Sequence, residues 1–203
     1  MKGHPIFAAL YDLILGPAEK KFLGPHRAYL AGAARGRVLD VGSGTGANFT
    51  YYPPEAEVVG IEPDPHMLRR AQARADRLKR QIKLLADGAE QLPFPDGSFD
   101  VAVVTLVLCT VPDVDRALGE LRRVLRPGGQ LRFLEHVRAR TAGWQRFQDI
   151  MTPLWKRIGA GCHPNRDTVG VIERAGFRVE ELQRYAHGPY PVRPFVRGVA
   201  TRG

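Results

Sequence analysis

The stretch RVLDVGSGTG, residues 37–46, decides the fold. Residues 37–41 form a short apolar run around one acid, which is typical of a buried strand, and glycines follow at positions 42, 44 and 46. Because glycine has no Cβ, it lets the backbone turn tightly and leaves room for a ligand against the amides. The turn lacks the Gly-Lys-Ser/Thr ending of a P-loop and the G-x-G-x-x-G spacing of dinucleotide-binding folds. The stretch predicts a strand, then a ligand-binding turn that leads into a helix.

Apolar runs alternate with helical patterns along the rest of the chain, which is typical of a parallel sheet with helices on both faces. The runs are nearly continuous, so we expect strands that are covered on both sides. Asp113 is placed to cap one helix, which residues 127–129 (Pro-Gly-Gly) would end, and Asp167 or Thr168 begins another. The fold class is therefore α/β and doubly wound. Strands are predicted at 37–41, 57–62, 82–86, 99–105, 130–137, 177–182 and 195–200.

The chain has 203 residues, about the length of one domain, and it shows no internal repeat. Residues 1–35 are predicted to form a helical extension or lid, and residues 36–203 the α/β domain. The two cysteines, Cys109 and Cys162, have no paired spacing, which favours a reduced, cytoplasmic protein over a secreted one. The cysteines and six histidines also lack paired ligand spacing, so no metal site is expected.

The chain is basic, with 30 Lys and Arg against 21 Asp and Glu, a net charge of +9. Residues 69–83 hold seven bases and one acid. Such a field favours anionic partners, but a charge run is more often a solvated helix face. The bases are not interleaved with aromatic residues and no RNA-recognition signature is present, so a nucleic-acid partner is only a distant alternative. Peripheral contact with an anionic inner membrane stays open.

Two segments have more than one interpretation. The apolar stretch 6–15 is too short to span a membrane and does not read as a signal peptide, so it predicts a helix that covers a cleft or lies on a membrane. Residues 141–158 hold both tryptophans in a wide, aromatic-rich helical stripe. This stripe is interpreted either as a core-packing face, as a substrate lid or as a membrane-facing element.

Acidic residues close the next strands. Glu62 follows the second strand 22 positions after Asp40, where a carboxylate can accept hydrogen bonds from both hydroxyls of an adenosine ribose. Asp87, with Gly88 and Ala89, follows the third strand and offers an acceptor beside small residues. Together these positions predict a nucleotide-like ligand.

Four stretches together resemble the class I S-adenosylmethionine-dependent methyltransferases: DVGSGTG at 40–46, GIEPDPHML at 60–68, DGAEQLPFPDGSFDVAV at 87–103 and LRRVLRPGG at 121–129. The resemblance implies a Rossmann-like, seven-stranded sheet, mostly parallel with the last strand antiparallel. It also implies S-adenosylmethionine as cofactor, with its methionine part near Asp40, its ribose on Glu62 and its adenine near Asp87. The cofactor-binding residues so implied are Asp40, Gly42, Ser43, Gly44, Asn48, Glu62, Pro63, Met67, Asp87, Gly88, Ala89 and Thr105.

Finer features resemble the thiol S-methyltransferases of animals and their bacterial relatives: GTGANF at 44–49, TLVLC at 105–109, EHV at 135–137 and GC at 161–162. They imply methyl transfer to a small-molecule acceptor, a thiol, by in-line displacement. A hydrophobic N-terminal anchor like that of the animal members is not expected. The Tyr-Asp pair at 11–12 resembles the pair that precedes the cofactor fold in quinone C-methyltransferases and bacterial phospholipid N-methyltransferases. The alternative acceptors are therefore a quinone or a phospholipid.

His136 is the candidate catalytic residue, because it ends the fifth strand on the rim where α/β sheets bind ligands. It could act as base or substrate orienter, or be held structurally by Glu135 or a loop carbonyl. Cys162 and His163 are adjacent and so would seldom face each other. Arg166 could hold an anionic group or form a surface ion pair. Substrate contacts are predicted for Tyr11, Leu108, Cys109, Trp144, Cys162 and Arg166, and no obligate protein partner is expected.

Overall fold

The computed structural model describes residues 19–186 and 191–203, in which seven strands form one sheet. The strands are β1 (Arg37–Val41), β2 (Glu57–Ile61), β3 (Lys83–Leu85), β4 (Phe99–Thr105), β5 (Leu125–His136), β6 (Phe177–Ala186) and β7 (Pro194–Arg202). Their order is β3-β2-β1-β4-β5-β7-β6, with β1 to β5 parallel and β7 antiparallel to both neighbours. The predicted α/β sheet with an antiparallel last strand is confirmed.

A π-helical turn, Glu19–Leu23, and five α-helices are described around the sheet. The helices are α1 (Gly24–Ala31), α2 (Pro65–Arg77), α3 (Val114–Val124), α4 (Ala142–Ile158) and α5 (Thr168–Arg174). Asp113 caps α3 by accepting from the Arg116 amide at 3.0 Å, and Asp167 caps α5 by accepting from the Gly170 amide at 3.3 Å. Both predicted helix starts are therefore confirmed.

Hydrophobic side chains pack on both faces of the sheet. Successive residues of β1 point to opposite faces, so that Leu39 joins one core cluster and Val38 the other. The first cluster includes Leu118 and Leu121 of α3, and the second includes Leu30 of α1. The nearly continuous apolar strands thus have the two-sided burial that their sequence predicts.

Two local predictions differ from the structure. No helix follows the glycine turn; instead, consecutive turns run through residues 44–51, closed by bonds such as Phe49 N–H to the Gly46 carbonyl at 3.0 Å. The positive φ at Gly46, +78°, is incompatible with a helical start there. The fifth strand begins at Leu125 and not at residue 130. Leu125 already pairs with Phe99, and Pro-Gly-Gly at 127–129 forms an irregularity within the strand, before Gln130 pairs with Val101.

The aromatic-rich stripe of α4 is exposed, so its interpretation as a core-packing face is wrong. Ile150 is 75% and Leu154 55% exposed, whereas Gln148 and Thr152 are the buried residues of this helix. The Gln148 amide donates to the carbonyls of Val137, Pro164 and Pro191 at 2.9–3.2 Å and accepts from the Ala139 amide at 2.7 Å. The helix is thus anchored by a polar side chain. Among the described residues, no helix is long and apolar enough to cross a bilayer.

The described part of the N-terminal extension packs directly on the sheet. Arg132 of β5 donates from Nε to the Leu30 carbonyl at 2.9 Å, and Leu30 and Ala31 are fully buried. The predicted helix at 6–15, with Tyr11, lies outside the described residues.

Candidate active site

The predicted cofactor-binding residues and His136 lie at the edge of the sheet where β1 to β5 end. Val41 pairs with Ile61 on one side and with Val104 on the other, so the segments that follow these strands are neighbours. The order of the strands reverses between β1 and β4, which is the usual place for a ligand in an α/β sheet.

The glycine turn after β1 combines a tight contact with an open space. Gly42 and Gly44 have φ values of +61° and +54°, which glycine adopts without strain. A Cβ at Gly42 would lie 2.5 Å from the Val107 side chain, whereas one at Gly44 would meet no atom closer than 4.0 Å. The hydroxyl of Ser43 donates to the Asp40 carbonyl at 3.1 Å. Gly42 therefore lets the loop after β4 pack closely against the turn, and Gly44 leaves the backbone of the turn accessible to a ligand.

Asp40 is a fully buried carboxylate at the base of this turn. Its Oδ1 accepts from the Asn48 amide at 2.9 Å, but Oδ2 has no hydrogen-bond partner in the described part of the chain. Burial raises the pKa of Asp40 to about 7, although the Asn48 hydrogen bond, the positive charge of Arg27 and the Tyr52 hydroxyl oppose the shift. The buried Tyr52 hydroxyl also interacts with this carboxylate, and Oδ2 is suited to a cationic or hydrogen-bonding ligand because a buried carboxylate oxygen without a hydrogen bond is costly.

Asn48 links Asp40 to the N-terminal extension. Its amide also contacts the Thr105 hydroxyl at 3.3 Å, and its Oδ1 accepts from Arg27 Nη1 of α1 at 2.8 Å. Arg27 is buried and forms an ion pair with Glu19 at 2.7 Å. Sequence analysis missed Arg27, and the available signal was an arginine among the apolar residues of this helix.

Glu62 joins the end of β2 to the glycine turn. Its two oxygens accept from the backbone amides of Gly44 and Asp64, both at 2.9 Å. Burial raises the pKa of Glu62, while these two bonds oppose the shift. A carboxylate has about four lone-pair positions, so both oxygens can accept further bonds from a ligand. Pro63 is half-buried beside Glu62, and Met67 is buried in α2.

The Asp87–Gly88–Ala89 segment lies next to Glu62, because the Glu62 amide donates to the Leu85 carbonyl at 3.0 Å. Asp87 and Gly88 are half-buried and Ala89 is buried. The predicted ribose and adenine positions are therefore neighbours along this edge.

Glu135 holds the loop after β4. This fully buried carboxylate accepts from the backbone amides of Val107, Leu108 and Cys109 at 2.8–3.0 Å. Burial raises the pKa of Glu135, and the three bonds oppose that shift. Leu106, with a φ of +60°, starts this loop in a conformation that bulky residues rarely adopt. Glu135 thus fixes a strained loop. The interpretation in which Glu135 holds His136 does not fit this arrangement.

His136 instead faces both cysteines. Its Nδ1 lies 3.7 Å from Cys109 Sγ and 3.6 Å from Cys162 Sγ. The pKa of Cys162 is lowered, because it accepts a hydrogen bond from Cys109 and faces His136. The pKa of Cys109 is raised by that same hydrogen bond and by burial. The backbone amide of His163, the neighbour of Cys162, donates to the Cys109 carbonyl at 2.6 Å.

The other predicted substrate residues occupy different environments. Arg166 donates from Nη1 to the carbonyls of Leu108 and Val111, so it holds the β4 loop, and its contact with a substrate anion stays a prediction. The side chain of Leu108 is fully buried in the core. Trp144 is half-exposed and lines a cavity of about 290 Å³ that begins at Val137, next to His136.

The chain is similar to known methyltransferases over most of its length. A methyltransferase domain model matches residues 39–133. Thiol S-methyltransferase TMT1A of Homo sapiens is 34% identical over 203 residues, which cover 97% of this chain and 83% of that protein. Thiol S-methyltransferase TMT1B of Homo sapiens is 40% identical over 179 residues, 83% of this chain and 72% of that protein. The chain belongs to the class I S-adenosylmethionine-dependent methyltransferase family.

A solved structure supports the fold of this methyltransferase. The crystal structure of a SAM-dependent methyltransferase from Aquifex aeolicus has a TM-score of 0.71 and covers all of both chains at 19% identity. Identity this low shows the fold alone. The relatives confirm the predicted family and enzyme class, and the solved structure confirms the fold class.

Family and fold imply that the methyltransferase uses S-adenosylmethionine, and its residues fit that group. The unpaired Oδ2 of Asp40 is suited to an ammonium, and the open space at Gly44 to a ligand lying on the backbone. Glu62 keeps lone pairs for two hydroxyls. Each feature lies at a position that the motifs predicted.

Proposed function

We propose that this methyltransferase transfers the methyl group of S-adenosylmethionine to a small-molecule thiol by in-line displacement. The observation that carries the proposal is the 34–40% identity to thiol S-methyltransferases over most of the chain. The environment of His136 supports it. This half-buried imidazole at the end of β5 lies beside Cys109, and Val107, two residues before Cys109, packs against Gly42 of the glycine turn.

The cofactor positions follow from the hydrogen-bonding groups of the site. The ammonium of the methionine part is assigned to Asp40, the ribose hydroxyls to Glu62 and the adenine to the Asp87–Gly88–Ala89 segment. Asn48 orients Asp40 by donating a hydrogen bond to it, and the same Asn48 amide also donates to the Thr105 hydroxyl. The bound group supplies an electrophilic methyl on a sulfonium.

The protein has to align the acceptor sulfur with that methyl and exclude water. A thiolate is the reactive form of the acceptor, so the site must take up or displace the thiol proton. His136 is the residue proposed to orient the acceptor and to favour its thiolate. Since Nδ1 faces the two cysteines, only part of the imidazole is turned to the acceptor space.

The proposal is tested by incubating the purified protein with S-adenosylmethionine and 2-mercaptoethanol. The expected product is the S-methyl thioether, detected by mass spectrometry, and ethylene glycol serves as the matched oxygen acceptor. S-Adenosylhomocysteine at 100 times its Kd should raise the free energy of unfolding by about 2.7 kcal/mol. Glu62→Ala should reduce this shift. A wild-type protein that binds the cofactor but leaves every thiol unchanged would contradict the thiol assignment.

A membrane-borne acceptor is the second candidate, and the exposed stripe of α4 favours it. Ile150, Leu154 and Ile158 are 55–75% exposed on one side of the helix, and Lys156 and Arg157 lie in its last turn. An amphipathic helix with basic residues is suited to the surface of an anionic membrane. We place the protein in the cytoplasm, with peripheral contact to the inner membrane, and a phospholipid amine or quinone as the alternative acceptor.

Vesicle sedimentation tests this contact. Wild-type protein should bind vesicles of phosphatidylglycerol and phosphatidylcholine less strongly as salt rises, since exposed charges are screened. Ile150→Ser with Leu154→Ser should weaken binding, whereas Leu182→Ser, at an exposed leucine of β6, should not. Equal binding by all three proteins would contradict a role for α4. Methylation of phosphatidylethanolamine or a demethylated quinone, but of no thiol, would make the second candidate the function.

A further inference from the structure

Three side chains that can bind a metal ion meet at the ends of β4 and β5. The ligand atoms of Cys109, His136 and Cys162 all lie within 4.8 Å of one another. A tetrahedral zinc with Zn–S of about 2.3 Å and Zn–N of about 2.0 Å separates sulfur from nitrogen by about 3.6 Å. The two sulfur-to-nitrogen distances here are 3.6 and 3.7 Å. Both sulfur-to-nitrogen edges of the cluster therefore already have the length found in a zinc site, and the two sulfurs lie within 4.8 Å of each other.

We propose that Cys109, His136 and Cys162 bind a zinc ion whose fourth position receives the sulfur of the acceptor thiol. Three protein ligands with one open position are typical of catalytic zinc, whereas structural sites have four protein ligands. The proposal rests on the proposed thiol methyltransferase activity. It gives His136 the role of a metal ligand in place of a free base.

Backbone contacts hold each ligand in place. The Cys109 amide donates to Glu135 at 3.0 Å and the Cys109 carbonyl accepts from His163 at 2.6 Å. His136 pairs with Phe195 of β7, and its carbonyl accepts from the Thr168 hydroxyl at 3.2 Å. The Cys162 amide donates to the Gly159 carbonyl at 3.0 Å. Such preorganisation reduces the cost of assembling a metal site.

The ligands are also close to the predicted cofactor. Cys109 is two residues after Val107, whose side chain contacts Gly42 of the cofactor turn. Cys109 and Cys162 are buried and His136 is half-buried. A thiol bound at this cluster would thus lie beside the glycine turn, in a site with little water.

The chemistry balances without any further reactant. The acceptor thiol releases its proton to solvent as its sulfur binds zinc. Two cysteine thiolates cancel the charge of the ion, so the added thiolate makes the centre anionic and keeps its sulfur nucleophilic. A sulfur lone pair then forms the new S–C bond, and the old C–S bond breaks with its electron pair passing to the cofactor sulfur. The neutral thioether product is a weaker ligand than a thiolate and leaves the zinc.

Metal analysis tests the site independently of activity. Protein purified from zinc-supplemented medium should hold about one zinc per chain, measured by mass spectrometry of the metal. Cys162→Ser and His136→Asn should lose more than the ~10–100-fold in affinity that removal of an outer-shell partner costs. The matched control His66→Asn, on half-buried His66 of α2, should keep wild-type affinity. Wild-type protein without bound zinc, or variants with unchanged affinity, would overturn the proposal.

Cobalt substitution tests the ligands and the open position. The Co²⁺ protein should show a thiolate charge-transfer band, which Cys162→Ser weakens, and circular dichroism checks that this variant is folded. Adding 2-mercaptoethanol should change the visible Co²⁺ spectrum, while ethylene glycol should not. An unchanged spectrum would overturn the open position, and a Cys109–Cys162 disulfide in freshly purified protein would overturn the site.

The two proposals fail in different ways. If zinc binds with the expected ligands but no thiol is methylated, the proposed function fails and the metal site stands. If thiols are methylated by protein that binds no zinc, the metal site fails and the proposed function stands.

Discussion

Three buried carboxylates are the main charged residues of the site. Asp40, Glu62 and Glu135 all have raised pKa values, chiefly because of burial. Glu62 and Glu135 accept backbone N–H bonds on both oxygens, whereas one oxygen of Asp40 has no partner among the described residues. Asp40 therefore offers an oxygen to which a bound cation could be held.

Asp40→Asn should change how stability depends on pH. The pKa of Asp40 is about 7 in the folded protein and near 3.8 when unfolded, so between these values the folded state holds one more proton. Wild-type stability should then fall as pH rises, by about 1.4 kcal/mol per unit between pH 5 and 6, relative to the variant. Urea denaturation at both pH values measures the difference. Parallel pH profiles for the two proteins would contradict the raised pKa.

The same variant should bind S-adenosylhomocysteine more weakly. Loss of a charged hydrogen bond costs about 1.5–3 kcal/mol, which corresponds to roughly 10–150-fold in Kd by calorimetry. Asp76→Asn, at an exposed acid of α2, is the matched control and should bind like wild type.

Among the elements, α4 departs most from the usual amphipathic pattern. It buries Gln148 and Thr152 and exposes Ile150, Leu154 and Ile158. The periodicity of residues 141–158 correctly predicts a helix. It could not predict which side is buried, because the carbonyls that Gln148 binds come from Val137, Pro164 and Pro191, up to 43 residues away.

Gln148→Leu should detach α4 from the sheet. The change removes four hydrogen bonds and leaves buried carbonyls without a donor, so we expect a loss of about 2–4 kcal/mol. In this variant, the rate of amide hydrogen exchange should increase more in α4 than in β1 and β4. Gln145→Leu, which removes one bond to Ala139, is the control and should cost about 1 kcal/mol. Unchanged exchange in α4 would contradict the anchoring role of Gln148.

At the scale of the whole molecule, hydrogen bonds connect the N-terminal extension to the proposed cofactor site. Glu19, Arg27, Asn48 and Asp40 form a continuous chain of hydrogen bonds from the π-helical turn to β1. The division at residue 35 stays a prediction, but α1 contributes Leu30 and Ala31 to the core of the sheet. Residues 19–35 of the extension are thus hydrogen-bonded to the proposed cofactor site.

Arg27→Met should weaken cofactor binding although Arg27 belongs to no cofactor motif. Loss of its charge raises the pKa of Asp40 further and frees Asn48 to rotate. We expect a roughly tenfold higher Kd for S-adenosylhomocysteine, with a larger difference at pH 6 than at pH 8, because Asp40 is then more protonated. Arg35→Met, which removes an exposed ion pair with Glu55, should leave the Kd unchanged. Equal Kd values for both variants and wild type would contradict the connection.

The sequence by itself determined the α/β class, the strands and the cofactor motif. These depend on local patterns: apolar runs, the glycines after Asp40, and the acid that follows the second strand. The resemblance added a seven-stranded, mostly parallel sheet with an antiparallel last strand, which the structure confirms.

Only the tertiary structure decided which distant side chains meet. His136 lies 27 residues after Cys109 and 26 residues before Cys162, and this spacing predicted no metal site. Arg27 reaches Asn48 from a helix that precedes every cofactor motif, and Glu135 holds a loop 26–28 residues before it. A local pattern fixes the conformation of a segment, because neighbouring residues compete for the same backbone bonds. The meeting of separate segments depends on how the strands order themselves in the sheet, and no short stretch of sequence contains that order.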